Sequence, residues 1–195
     1  MTDEHLLIDR AKQGDLQAFR ELFENSKRTV YRLAYDMTGN RHDAEDLSQD
    51  VFVKAYRSLP GFRGDAKWST WLHRITVNTC LDHRKSSKPN SMEFNDEMEH
   101  HTHTITPEHH EAILPDRAVQ STMIQQHIQR ALDCLTPRQR SVFVLRHYND
   151  LSLKQIAETL EVAEGTVKTL LFRAVQRLQE ELSFYKKDLG LEKQQ

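Results

Sequence analysis

Lys168, Thr169, Phe172 and Arg173 recur at helical spacing, with Thr166, Gln176 and Arg177 on the same side. Cations, hydroxyls and amides on one helix face suit the phosphates and base edges of a DNA major groove. The same face on a plain helical hairpin would merely be solvated, so the neighbouring segments decide its meaning. A second candidate chemistry is metal binding by His100, His101, His103, His109 and His110, five of the eleven histidines. Their spacing does not help: no H-E-x-x-H or paired C-x-x-C occurs, and Cys80 with His83 makes at most half a site. No Ser-His-Asp set or phosphate-binding loop is visible either, so the residues argue for binding rather than catalysis.

The basic face must be held by two short helices. Leu153, Ile156, Ala157 and Leu160 form one apolar stripe, and Val167, Leu171, Ala174 and Leu178 another, with a break from Glu161 to Glu164. Small Ala157 permits a close crossing, Val162 fills the angle and Gly165 loosens the turn, which together describe a helix-turn-helix. Ser152 with Gln155 is a capping box and Leu151 with Ile156 a hydrophobic staple, so the first helix starts near Ser152. Thr136, Pro137 and Gln139 repeat the device upstream, ahead of the stripe Val142, Phe143 and Leu145.

Further upstream, Phe19, Leu22, Phe23, Val30, Leu33 and Met37 predict a helix from Leu16 to Met37 with a break near Asn25 and Ser26. A second helix follows Gly39 and Asn40, carries Asp43, Glu45 and Asp46 in its first turns, and ends near Leu59, where Pro60 and Gly61 close it. A loop, "FRGDAK", precedes a third helix from about Trp68 to Lys85 with the stripe Leu72, Ile75, Thr79 and Leu81. Helical order resumes near Ala118. No alternating strand pattern appears, so the expected fold is all-α.

A chain of 195 residues with 37% hydrophobic content supports compact helical cores, and two small domains fit better than one large one. No apolar run approaches a membrane span and "MTDEHLLIDRAKQGD" is too acidic for a secretion signal, so the expected location is cytoplasmic. Two cysteines inside helical patterns predict small buried residues rather than a disulfide framework. The net charge of −2 conceals separated patches. Residues 62–90 hold six lysines and arginines against two acids, residues 136–187 nine against six, and residues 91–116 none against seven. Two basic blocks flanking an acidic one suggest two nucleic-acid contacts joined by a segment kept off the backbone. That segment, rich in Ser, Pro, acids and histidine, reads as a mobile linker.

Taken in order, "DAEDLSQDVFVKAYRSL", "FRGDAKWSTWLHRITVNTCLDHRK" and "LTPRQRSVFVLRHYNDLSLKQIAETLEVAEGTVKTLLFRAVQRL" resemble a bacterial RNA polymerase sigma factor of the extracytoplasmic-function type. The resemblance covers about residues 10–180 except the linker. It implies a region-two domain over residues 1–87, a linker over 88–117, a region-four domain over 118–187 and a tail over 188–195. It further implies three surfaces. Asp43, Asp46, Gln49 and Asp50 project from their helix while Ala44, Leu47, Val51 and Ala55 face inward, and the stripe docks on the coiled coil of the largest polymerase subunit. The next segment melts and reads the −10 element. Phe62, Trp68 and Trp71 interleave there with Arg63, Lys67, Arg74, Arg84 and Lys85, types that bind unstacked bases, although Trp71 and Trp68 also suit the core. In its loop Phe62 offers an apolar wall, Gly64 close backbone approach and Asp65 an acceptor for a flipped base, with Asn78 one helical face away. Thr166, Lys168, Thr169, Phe172 and Arg173 face the −35 groove.

The chain departs from the family at Leu170 and Val175, where arginine is common, and losing those cations predicts weaker −35 binding with a flatter salt dependence. The resemblance implies no cofactor and no small-molecule substrate. It implies core polymerase, promoter DNA and a cognate anti-sigma factor, often membrane-bound, as partners. Two rivals explain less. A regulator with an N-terminal sensor would not need "FRGDAKWSTWL", and a metalloenzyme lacks a preorganised ligand set.

Overall fold

The computed structural model describes residues 3–86 and 128–183, and every regular element among them is a helix. In chain order these are α1 (Asp3–Lys12), α2 (Leu16–Thr38), α3 (Arg41–Ser58), a 3-10 turn (Leu59–Gly61), α4 (Trp68–Ser86), α5 through residues 128–133, α6 (Pro137–His147), α7 (Leu153–Leu160) and α8 (Glu164–Glu181). The linker, its histidines, the start of helical order at Ala118 and the tail lie outside the described residues. No described helix is long and apolar enough to cross a membrane.

Helix α1 is an addition to the expected elements. Leu7, Ile8 and Ala11 lie on one side of it and are buried. Its end is fixed by Arg10, which pairs with Asp15 at 2.7 Å, while Asp15 accepts from the amides of Gln17 and Ala18 and so caps α2. Helix α2 then runs unbroken through Asn25 and Ser26, where an interruption was expected. The Ser26 hydroxyl accepts the indole N–H of Trp68 at 3.1 Å, so that polar residue faces the start of α4 and does not break α2. Gly39 ends α2 at φ 72, and Asn40 caps α3 by accepting from His42 and Asp43.

In the C-terminal unit both expected capping boxes form, at Thr136 with Gln139 and at Ser152 with Gln155. The turn differs from expectation. Glu161, not Gly165, takes the left-handed conformation, at φ 55, and its amide donates to the Ala157 carbonyl. Gly165 sits inside the first turn of α8. Leu170 and Leu171 also exchange roles: Leu170 is buried and Leu171 half-buried.

The N-terminal unit packs α1 to α4 around Leu22, Val51, Phe52, Phe62, Trp68 and Leu72. A smaller cluster of Ala131, Leu132, Leu135, Ala174 and Leu178 joins α5 to α8. A third cluster spans both units, combining Leu33, Met37, Leu47, Val77 and Cys80 with Val142, Val144, Ile156 and Val167. The shared cluster explains two mismatched stripes. Helix α6 buries Ser141, Val142, Val144 and Leu145, because it packs on α7 and α8 within its own unit and on α2 and α4 across the seam. Helix α4 likewise buries His73, Thr76, Val77 and Cys80 beyond its expected stripe, while Ile75 and Leu81 are only half-buried. Cys80 is buried as expected, and its desolvated thiol is pushed up to about 12, with Lys54 and Arg140 opposing the rise. Cys134 is only half-buried, its Sγ lying 3.5 Å from the Arg130 carbonyl.

Candidate functional site

The acidic stripe stands clear of the core. Ala44, Leu47, Val51 and Ala55 turn inward on α3, so Asp46, Gln49 and Asp50 point to solvent and Asp43 is half-exposed. Asp43 occupies the first turn, where the helix dipole favours a carboxylate. Asp46 lies 3.1 Å from His42 Nδ1, an exposed pair of little energetic weight. Val53 and Tyr56 continue the exposed side of the helix, 48% and 40% exposed, and put apolar area beside the acids. Sequence periodicity alone did not mark these two.

The loop between α3 and α4 separates into a buried root and an exposed arc. Phe62 is the root. Its ring lies 4.9 Å from that of Trp71 and 6.1 Å from that of Trp68, and it is only 6% exposed, so it braces the loop and does not form an open wall. Lys12 donates to the Phe62 carbonyl at 2.7 Å, which gives α1 a part in holding the loop. Arg63, Gly64, Asp65 and Lys67 form the exposed arc. Gly64 has φ 81, a conformation that costs an L side chain about 1–2 kcal/mol, with no atom within 4 Å of where a Cβ would stand. Of the two tryptophans that also suited the core, Trp68 is buried in it and Trp71 packs half-buried against the same cluster.

Along α4, Asn78 and Lys85 are exposed, with Lys85 3.8 Å from Asp82. Arg74 is exposed as well, but it and Arg84 reach toward the C-terminal unit. Arg74 forms an ion pair with Glu161 in the turn between α7 and α8. Arg84 is half-buried, and its burial works against its charge, with Arg140 repelling it and Asp133 attracting it. Both therefore lie at the seam between the two units.

On α8, Val167, Leu170, Ala174 and Leu178 are buried, which leaves Thr166, Lys168, Thr169, Phe172 and Arg173 on the outside. Phe172 is 62% exposed and sets an apolar ring among the polar residues of this face. The Thr169 hydroxyl donates back to the Gly165 carbonyl at 3.0 Å, leaving its oxygen lone pairs outward. Leu170 packs inward, so the absence of an arginine there removes nothing from the groove face; Val175 is half-exposed.

Residues 22–89 match the family described as Sigma-70 region 2, and residues 125–178 match Sigma-70, region 4. The chain is 35% identical over 178 residues to the ECF RNA polymerase sigma factor SigW of Bacillus subtilis, a span of 90% of this chain and 94% of that protein. This chain belongs to the ECF RNA polymerase sigma factors. The ECF RNA polymerase sigma-E factor of Escherichia coli (strain K12) is 32% identical over 178 residues, 89% of this sigma factor and 91% of that one. Two solved structures share the fold: CnrH in complex with the cytosolic domain of CnrY, and the Bartonella quintana sigma factor RpoE in complex with the anti-sigma factor NepR. The first has a TM-score of 0.66 at 22% identity and covers 92% of this chain and 97% of its own. The second has a TM-score of 0.60 at 23% identity and covers 86% and 98%. The acidic stripe, the loop and α4 fall within the sigma factor's region 2, and the α8 face within region 4. Helix α1 precedes the matched segment.

Sequence reasoning missed the polar seam of the sigma factor. Arg140 is 1% exposed, and its Nε donates to the Asp36 carbonyl at 3.0 Å across the seam, while Nη1 donates to Asp133 at 2.6 Å and Nη2 to Gln129 at 3.1 Å. Nothing local distinguishes Arg140 from its neighbours Arg138 and Arg146. The Asp36 carboxyl is raised to about 6 by burial, which outweighs the pull of Arg32 and Arg140, and its Oδ2 has no hydrogen-bond partner among the described residues. The folded-state value lies above the unfolded one, so folding takes up a proton between about pH 4 and 6, and Asp36's contribution to stability falls as pH rises through that window. Asp36→Asn is expected to raise the melting temperature at pH 7.5 and to lose that advantage at pH 4. Equal melting shifts at both pH values would show that the carboxylate is not desolvated.

Proposed function

We propose that this sigma factor works through three separate surfaces. The exposed stripe Asp43, Asp46, Gln49 and Asp50 docks on a basic surface of core RNA polymerase, in the family the coiled coil of the largest subunit. The arc Arg63, Gly64, Asp65 and Lys67, braced by Phe62 and continued by Arg74, Asn78, Arg84 and Lys85 on α4, opens and reads the −10 element. Thr166, Lys168, Thr169, Phe172 and Arg173 enter the −35 major groove. The domain boundaries follow: residues 1–87 for polymerase and −10 contacts, 118–187 for −35, with 88–117 as spacer and 188–195 as tail. The bond-making chemistry belongs to the polymerase, so the chain is an initiation factor and not an enzyme. An anti-sigma factor is its third partner, as for the RpoE solved with NepR, and would hold it in the cytoplasm or against the membrane.

The observation that carries this reading is the exposure of a cationic, amide and aromatic face on α8 within a segment that matches region 4. Transcription in vitro with core polymerase on a pool of random promoters tests it, since sequenced products should reveal paired −35 and −10 preferences that vanish without the chain. The face should also divide by contact type. Arg173→Ala is expected to cost roughly 1–3 kcal/mol and relax preference at one −35 position, while Lys168→Ala lowers affinity for all sequences and reduces the salt slope by about one. Unaltered −35-dependent transcription in both variants would reassign the face.

A further inference from the structure

Every residue assigned to polymerase or promoter DNA lies within the two matched segments, yet the −10 loop is also held from outside them. Lys12, the last residue of α1, donates from its ammonium to the Phe62 carbonyl at 2.7 Å. Phe62 is thereby fixed at three points: its ring packs against Trp68 and Trp71, its amide donates to the Leu59 carbonyl at 3.0 Å, and its carbonyl accepts from Lys12. The third contact has the most leverage on the exposed arc. The Phe62 carbonyl and the Arg63 amide share one planar peptide, so holding that oxygen sets the direction in which the chain leaves the core. Among the described residues Arg63 to Ala66 make no hydrogen bond, so the arc takes its position from its two ends, Phe62 and the start of α4. Helix α1 is itself firmly placed. Leu7, Ile8 and Ala11 are buried in the cluster that holds Phe62 and Trp68, Arg10 pairs with Asp15, and Lys12 is half-buried. A charged donor from such a fixed base makes a stronger and better oriented hydrogen bond than a mobile surface lysine would.

We propose that Lys12 is a positioning residue for promoter specificity: through the Phe62 carbonyl it sets where Arg63, Gly64, Asp65 and Lys67 stand, and thereby how sharply −10 bases are told apart. This rests on the reading of that arc as the part that contacts the −10 element. Loss of the contact should affect discrimination more than affinity. Attraction between cations and phosphates falls off gradually with distance, whereas a hydrogen bond to a base edge needs its partner within a narrow range of distance and angle. An arc free to swing about Phe62 would keep the first and blur the second.

Two variants at this position separate the donor from the stem. Lys12→Met keeps the unbranched stem and removes the donor, and Lys12→Arg keeps a charged donor. The full chain is assembled with core polymerase on a promoter library with a fixed −35 element and a randomised −10 element, and the sequenced transcripts give the base preferences of each variant. Lys12→Met should flatten the preference at the −10 base held by the loop by roughly tenfold, the order of one lost hydrogen bond, while polymerase binding in a pull-down stays at the wild-type level. Lys12→Arg should restore the preference. Because preference is a ratio within one library, it does not depend on the fraction of chain that is folded. A merely structural brace would behave otherwise: transcription from all −10 sequences would fall together with the melting temperature, and the preference would stay intact. That result, or a Lys12→Arg chain as flattened as Lys12→Met, would overturn the role of Lys12. Failure of the underlying reading has a different signature. Replacing the arc with a Gly/Ser segment would then leave the −10 preference unchanged, whereas a fault confined to Lys12 would leave that replacement destructive and Lys12→Met without effect.

Discussion

Replacing Arg63, Gly64, Asp65 and Ala66 with a Gly/Ser segment and Lys67 with Ser is expected to abolish opening of a duplex promoter while leaving polymerase binding intact. The design follows from where the loop divides. Phe62 must stay, because its ring is packed against Trp68 and Trp71, and removing it would be a core truncation costing about 3–5 kcal/mol in its own right. Position 67 precedes α4, and the Trp71 amide donates to its carbonyl at 3.1 Å, so serine there preserves the helix start. What the substitution removes is an acceptor and two cations on an exposed arc. Unpairing and unstacking a base costs a few kcal/mol, which those contacts must offset, so their loss should reduce open complexes by roughly 100-fold. A template with its −10 bases already unpaired should regain part of the activity. Full activity of the variant on intact duplex, with its −10 preference unaltered, would place the reading of that base elsewhere.

The sequence made the helix starts legible because capping is local chemistry: Thr136 with Gln139 and Ser152 with Gln155 lie three residues apart and need no tertiary information. The inward side of α3 was legible for a related reason, since it has one buried stripe and a solvent side; on α8 the same reading held for Val167, Ala174 and Leu178 and took Leu171 for Leu170. Periodicity misled where a helix has two buried sides. In α6 the pattern suggested Val142, Phe143 and Leu145, yet Val144 is fully buried and Phe143 is half-buried, because the N-terminal unit covers a second flank. The same covering buries Val77 and Cys80 on α4. No window of sequence reports packing between segments a hundred residues apart, and Arg140 with Asp36 is the extreme case: a buried arginine that reads as one more surface cation. The turn of the helix-turn-helix failed for a different reason. The sequence reading had Gly165 loosening the turn, but Gly165 lies inside α8 and the left-handed residue is Glu161 at φ 55, where its carboxylate meets Arg74. A glycine would relieve the backbone and lose the ion pair, so the residue type at that corner reflects the seam and not the turn.

Asp46→Lys combined with Asp50→Lys should eliminate most binding to core polymerase and leave the fold untouched. Both side chains project from α3 into solvent, and among the described residues the only ion pair either makes is the exposed contact of Asp46 with His42, worth at most about 1 kcal/mol. Asp43 is kept, because it sits in the first turn of α3, where its charge is favoured by the helix dipole and contributes to folding. Reversing two charges that face a basic partner does more than delete two attractions: it sets like charges against each other, which costs several kcal/mol at a close interface. Polymerase affinity should therefore fall by at least roughly 100-fold, with most of the loss relieved at high salt if steering dominates and retained if the contacts are desolvated. The apolar neighbours give a control of opposite character. Val53→Ser removes exposed apolar area beside the stripe without changing charge, so its effect on affinity should be insensitive to salt. A pull-down in which the doubly reversed chain retains wild-type affinity, with circular dichroism and melting temperature unchanged, would show that α3 presents its acids to water alone and that polymerase is held by another face.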